Sequence, residues 1–207
     1  MLVEILLVVF AYLVGSVASA VLVCRVMGLP DPRRQGSRNP GATNVLRLGG
    51  KTAAALTLAG DVLKGLLPVL AARFLSDSPV TAAGATLAAF LGHLYPLYFG
   101  FRGGKGVATA FGAVAGLAWP VALAMGAVWV TVAAISRYSS LASMSAAVCA
   151  PLVAAVITPR PAIVVSLALM AVLILWRHRA NIARLRGGTE ARIGQKSGDA
   201  PASNQSG

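Results

Sequence analysis

Val107–Trp176 reads VATAFGAVAGLAWPVALAMGAVWVTVAAISRYSSLASMSAAVCAPLVAAVITPRPAIVVSLALMAVLILW, and its only charges are Arg137 and Arg160. A soluble domain cannot stay this apolar for 70 residues, because each of its elements must turn one face to water. Three breaks interrupt the stretch: Trp119-Pro120, Ser136-Arg137-Tyr138-Ser139-Ser140 and Thr158-Pro159-Arg160-Pro161. They divide it into four segments, each short for a membrane helix yet close to the about 17–25 residues that cross a bilayer. An even number of crossings returns the chain to the side it left. The basic segment after Trp176 therefore shares a side with the glycine-rich turn before Val107.

Towards the N-terminus lie three more apolar runs, about 80–99, 52–75 (interrupted by Asp61 and Lys64) and 2–24. The whole chain is 57% hydrophobic and 12% charged, with a mean hydropathy of +0.76, whereas soluble domains average about a quarter charged. The expectation is an all-α, polytopic membrane helix bundle of about seven transmembrane helices. Residues 1–193 form that membrane domain, and 194–207 form a polar, disordered cytoplasmic tail.

Lysine and arginine accumulate in cytoplasmic loops of membrane proteins. With seven crossings, 15 of the 18 basic residues fall on one side, leaving Arg73 and Arg160 opposite and Lys64 inside a helix. That side is read as the cytoplasm, with the N-terminus outside and the C-terminus inside. The net charge of +12 then reflects topology rather than nucleic-acid binding. The first run lacks a basic n-region and carries Glu4 there, so it reads as a retained helix rather than a signal peptide. Cys24 and Cys149 have neither metal spacing nor an evident pairing and read as small helix residues. Asp61 and Lys64, three residues apart, read as an internal ion pair facing the bundle.

Three polar segments share the inner side. The first, Gly36-Ser37-Arg38-Asn39-Pro40-Gly41-Ala42-Thr43-Asn44-Val45-Leu46-Arg47, is glycine-punctuated and ends at an expected helix start. Backbone amides, hydroxyl and amide side chains and a helix dipole there suit a phosphate, and Arg47 could clamp it. An ordinary loop capped by Asn39 or Thr43 is the alternative. The second runs from Gly92-His93 to Gly103-Gly104-Lys105-Gly106. It presents one ammonium among flexible amides, though its spacing is not that of a nucleotide-binding P-loop. The third, His178-Arg179-Ala180-Asn181-Ile182-Ala183-Arg184-Leu185-Arg186-Gly187-Gly188-Thr189-Glu190, sets His178, Asn181 and Leu185 on one helical stripe. Its arginines also fit an amphipathic helix against anionic lipid headgroups.

Absent chemistries narrow the choice. The six acidic residues, Glu4, Asp31, Asp61, Asp77, Glu190 and Asp199, form no group able to hold two metals, so neither a metal nor a cofactor is expected. No His-x-x-x-x-Asp, Cys–His pair or G-x-S-x-G elbow appears. The chemistry must rest on positioning and charge stabilisation.

In this order and spacing, the three motifs resemble the bacterial acyl-phosphate:glycerol-3-phosphate acyltransferase family, from about residue 15 to 190. One departure is Gly15-Ser16-Val17-Ala18, which lacks a proline expected soon after Gly-Ser. The resemblance implies an integral enzyme of the bacterial inner membrane with seven helices, its active site facing the cytoplasm. It implies acyl phosphate and glycerol 3-phosphate as substrates, 1-acylglycerol 3-phosphate (lysophosphatidic acid) and phosphate as products, and the first step of phospholipid biosynthesis. Ser37, Arg47, Lys105, His178 and Asn181 would form the catalytic polar pocket. Gly36, Asn39, Gly41, Thr43, Asn44, His93, Gly103, Gly104 and Gly106 would bind substrate. A substrate phosphate oxygen or His178 would accept the hydroxyl proton. Expected partners are membrane lipids and a functional link to the enzyme that forms acyl phosphate, with no nucleic acid; the expected state is a monomer. A membrane transporter of phosphate-bearing anions is the reading from a different class.

Overall fold

The computed structural model describes residues 1–195. Most of the expected tail, with Lys196 and Asp199, lies outside the described residues. Within them the chain is all-helical: α1 Leu2–Gly15, α2 Ser19–Val26, α3 Ala42–Leu75, α4 Pro79–Leu94, α5 Val107–Leu117, α6 Trp119–Ser136, α7 Ser139–Ile157, α8 Pro161–Arg177 and α9 Arg179–Arg186, with one 3-10 turn at Leu97–Phe99.

The three expected breaks fall between α5 and α6, α6 and α7, and α7 and α8. The local chemistry explains them. Pro120 and Pro161 sit in the first turns of α6 and α8, where a missing N–H costs nothing. Arg137 closes α6 in the left-handed region, with φ +61°. Four stretches are long and apolar enough to cross a membrane: Ala42–Leu75, Pro79–Phe99, Trp119–Ser136 and Ser139–Ile157. The bent pairs α1–α2 (40°) and α8–α9 (56°) raise that to six. At 11 residues, α5 spans only about 16 Å, short of a hydrocarbon core of about 30 Å.

Two breaks were not evident from hydropathy. Gly50, at φ +75°, interrupts α3, so the turns carrying Asn44 and Arg47 form an arm distinct from the long span behind it. The α1–α2 bend occurs at Ser16–Ala18 without proline. Its Val17 carbonyl, outside the helical ladder, accepts from the Ser19 N–H at 3.1 Å and takes a shorter 2.7 Å hydrogen bond from Lys64 Nζ. Inside a bilayer such a group needs protein partners, and Lys64 supplies one while pairing with Asp61 at 2.7 Å. The internal ion pair read from the sequence therefore exists, and it also seals a broken helix.

Helix association in lipid depends on close contact rather than on hydrophobic burial. A Cβ added at Gly65 would overlap the Thr109 carbonyl, and one at Gly112 the Val62 carbonyl, which locks α3 against α5. Gly15 and Gly92 draw α1 and α4 together in the same way. The main core gathers Phe90, Leu94, Val114, Val121, Leu167 and Ile174. Leu6, Phe10, Leu56, Leu67, Leu123, Leu152 and Val172 are exposed, the apolar outer surface that a lipid environment requires.

Candidate active site

The three polar segments meet. Lys105 Nζ donates a hydrogen bond to Asn181 Oδ1, joining the glycine turn to α9. A Cβ at Gly104 would sit 3.2 Å from the Pro40 carbonyl oxygen, so the first segment abuts the same turn. Arg47 lies close enough to Lys105 for their charges to interact.

The turn is held from two sides. Arg177 donates from Nη2 to the Gly103 carbonyl at 2.8 Å and from Nε to the Gly104 carbonyl at 3.1 Å. On the other side the Gly104 N–H donates to the His93 carbonyl at 3.3 Å. Side chains larger than hydrogen have no room at either glycine, because His93 fills the space beneath both. Gly106, at φ +81°, leads into α5 and packs against Phe90 and Leu94.

In the first segment, Ser37, Thr43 and Arg47 are exposed, Asn39 and Gly41 half-buried. Asn44 lies inside the loop, 1% exposed. Its Oδ1 accepts from the Ser37 N–H at 3.0 Å, and its Nδ2 donates to the Pro32 and Gln35 carbonyls at 2.9 and 3.1 Å. Gly36, at φ +59°, passes directly over Asn44 Oδ1. Asn44 thus shapes the loop that presents Ser37, its hydrogen bonds directed inward. Similarly, His93 is buried below the turn, not displayed beside it.

His178 lies beyond the end of α8, 3% exposed. Its Nδ1 is 2.8 Å from the Ile174 carbonyl. A carbonyl can only accept, so Nδ1 carries the proton and Nε2 is the acceptor in the neutral ring. Burial, then the Lys105 charge, lowers its pKa to about 4, so the imidazole is neutral at physiological pH.

Sequence reasoning included Glu190 at the end of the third segment but gave no role to this carboxylate at the centre. Glu190 Oε1 accepts from Asn181 Nδ2 at 2.6 Å and from Ser140 Oγ at 2.7 Å, and Oε2 accepts from Arg184 Nε at 2.7 Å. Burial raises its pKa, but these three hydrogen bonds outweigh that and hold it below the ordinary value. Glu190 is the sole acidic residue between Asp77 and Asp199, a signal the basic surroundings obscured. The segment after α9 then folds back onto the α6–α7 turn: Ile193 N–H donates to the Arg137 carbonyl at 2.7 Å, and Arg192 covers the Tyr138 ring.

Lys105 feels all of this. Burial is the largest influence on its pKa; Glu190 partly offsets it, while Arg184, Arg177 and Arg47 add to it, leaving a value of about 8. An open cleft of ≈ 490 Å³ adjoins the turn, lined by Arg33, Arg34, Arg38 and Arg102 with Pro40 and Gly103. Asp31 engages Arg33 through both oxygens, and Arg33 reaches the Phe99 ring. Among the described residues no group of three potential metal-ligating acidic, His or Cys side chains occurs.

These features define an all-helical integral membrane protein with a cationic, amide-rich site where its polar segments converge. The glycerol-3-phosphate acyltransferase family model matches residues 5–188. The chain is 55% identical to the glycerol-3-phosphate acyltransferase of Methylococcus capsulatus over 194 residues, covering 94% of this chain and 98% of that one. It superposes with TM-score 0.88 and 41% identity on the crystal structure of PlsY, an integral membrane glycerol 3-phosphate acyltransferase, in its glycerol 3-phosphate form, covering 92% of this chain and 96% of that one. The lysophosphatidic acid form gives 0.85 and 40%, covering 92% and 95%. The chain belongs to the glycerol-3-phosphate acyltransferase family and is an acyltransferase.

Proposed function

We propose that this enzyme transfers an acyl group from acyl phosphate to the 1-hydroxyl of glycerol 3-phosphate, the first step of phospholipid biosynthesis. The observation that carries the proposal is the junction of Lys105, Asn181 and the Arg177-held glycine turn against the Pro40 loop. It offers cations and amides for two phosphates.

Ser37, Arg47, Lys105, His178 and Asn181 form the polar pocket for glycerol 3-phosphate and the reacting carbonyl. Gly36, Asn39, Gly41, Thr43 and the Gly103–Gly106 turn surround the acyl phosphate group, with Asn44 fixing the shape of the loop and His93 lying below the turn. The hydroxyl oxygen attacks the acyl carbonyl carbon. The bond from that carbon to the phosphate oxygen breaks, and phosphate leaves with the electron pair. The hydroxyl proton passes to a phosphate oxygen, which at a second pKa of about 6 is a stronger base than His178. His178 Nε2, the acceptor of the neutral ring, takes a hydrogen bond from the other hydroxyl of glycerol 3-phosphate and so orients the substrate. Lys105 stabilises the charge that develops as phosphate departs.

The same reading has seven crossings, with the N-terminus outside, the site on the cytoplasmic side of the bacterial inner membrane, and α5 as a short crossing that begins below headgroup level. The acyl chain lies between helices among membrane lipids. The enzyme acts as a monomer, supplied by the activity that makes acyl phosphate. Purified in detergent, it should release phosphate with acyl phosphate and glycerol 3-phosphate and remain inactive with acyl-CoA. Turnover with acyl-CoA alone would overturn the donor assignment. Binding without phosphate release would favour an anion transporter.

A pH profile tests the role of Lys105. The free enzyme loses its ammonium as pH rises through about 8, so kcat/KM should fall above that pH. Bound phosphate favours the charged form, so the corresponding limb in kcat should lie at higher pH. A kcat/KM flat between about pH 7 and 10 would remove Lys105 as the required cation.

A further inference from the structure

Four polar side chains are buried under the glycine turn and have no part in the chemistry above: Asp61, Lys64, His93 and Thr109, each no more than 6% exposed. Buried charge inside a membrane bundle is costly, and it persists where something depends on it. These groups form a chain of contacts. Lys64 Nζ bonds the Val17 carbonyl at the α1–α2 break and pairs with Asp61 Oδ1, each at 2.7 Å. The same Asp61 oxygen lies 3.6 Å from His93 Nδ1. His93 Nδ1 is also 3.1 Å from Thr109 Oγ1, in the first turn of α5.

The opposite edge of the imidazole faces the turn. A Cβ on Gly104 would overlap His93 Nε2, and one on Gly103 would overlap the His93 carbonyl oxygen. The ring is therefore the floor under Gly104 and the His93 backbone the floor under Gly103, while Arg177 holds the carbonyls of those two residues. Thr109 bonds the ring edge at Nδ1, Asp61 lies beside it beyond hydrogen-bond distance, and the Lys64 bridge anchors Asp61 to the first span.

We propose that His93 is a positioning residue: bonded by Thr109 and packed beside the buried Asp61–Lys64 pair, it sets the height and orientation of the Gly103–Gly104 backbone that receives substrate phosphate. This rests on the reading of that turn as phosphate-binding. A ligand-holding backbone misplaced by about 1 Å is enough for a hundredfold loss of rate, so a rigid floor has a kinetic consequence.

The experiment compares Gly104→Ala, His93→Asn, the double variant and Thr109→Val, purified in detergent and assayed with acyl phosphate and glycerol 3-phosphate. Gly104 is not in the left-handed region, so alanine there collides with the imidazole without straining its own backbone. Asparagine at 93 keeps a polar group near the Nδ1 position and removes the ring edge under Gly104. Gly104→Ala should lose at least about a hundredfold in kcat/KM, a figure of the size expected for such misplacement. His93→Asn should lose about tenfold, and the double variant should stay within about threefold of His93→Asn, since the collision is gone.

Thr109→Val preserves shape and serves if position 93 tolerates no change. It should raise KM for one phosphate-bearing substrate several-fold at unchanged melting temperature, a split that a merely structural role would not produce. Multiplied losses in the double variant, or unchanged KM values in Thr109→Val, would overturn the positioning role. Normal turnover in Lys105→Ala with the 93–104 coupling intact would instead sink the phosphate reading alone.

Discussion

Replacement of Lys105 by alanine should reduce kcat/KM by at least about 10³, the scale seen when a preorganised charge partner of a reacting oxygen is removed, roughly 4 kcal/mol. The protein should remain inserted and folded. Lys105 stands on a turn held by Arg177 and His93, and its one side-chain hydrogen bond, to Asn181, can pass to water. Removing a cation from a site that also contains Arg47, Arg177 and Arg184 relieves repulsion, so thermal stability should hold or rise slightly. Turnover in detergent and a melting curve measured together decide the matter. Near-normal turnover in a folded Lys105→Ala protein would refute the site. Arginine at the same position would keep the charge but bring a planar fork into a space shaped for an ammonium, so little rescue is expected.

Glu190→Gln should also be strongly damaging, and its signature is a shift in pH dependence. Glutamine keeps the shape and can still accept from Ser140 and Asn181 through its remaining carbonyl oxygen, but its NH2 faces the Arg184 Nε–H and cannot accept from it, so the charge and the Arg184 bond are lost together. Glu190 is the one group that raises the Lys105 pKa against burial and three arginines. Without it, that pKa falls below about 8, and the descending limb of kcat/KM moves to lower pH by about one unit, the size of a single nearby opposite charge. Activity at pH 8 should fall about 10²-fold, from lost Lys105 charge, from the lost Arg184 bond and from the weaker hold of a neutral oxygen on Asn181, whose amide Glu190 orients at 2.6 Å; positioned groups contribute on this scale. A uniform loss with no movement along the pH axis would mean that Glu190 only supports the fold.

Much of the architecture was legible because apolar runs and their breaks are local. Trp119-Pro120, the Ser136–Ser140 stretch and Thr158–Pro161 mark helix boundaries that proline geometry and polar turns enforce residue by residue. Motif spacing likewise brought out Lys105, Asn181 and His178, two of which touch directly. The bend without proline at Ser16–Ala18 and the interruption of α3 at Gly50 escaped notice. Each depends on a backbone conformation stabilised from elsewhere, by Lys64 in the first case. Asn44 and His93 were read as facing substrate, since a polar residue in a glycine-rich motif carries no mark of which way its side chain turns. The role of Glu190 was missed for a related reason: its partners Ser140 and Asn181 lie on separate elements, and only the return of the chain onto the α6–α7 turn unites them.

That return also determines how much of the polypeptide the catalytic unit needs. Glu190 follows α9 and is held in place by the backbone bond between Ile193 and Arg137. A truncation at Gly187 would leave every long apolar segment intact and still remove the carboxylate beside Lys105. An affinity tag fused there would have the same fault, whereas one joined after Gln195 preserves each contact described above.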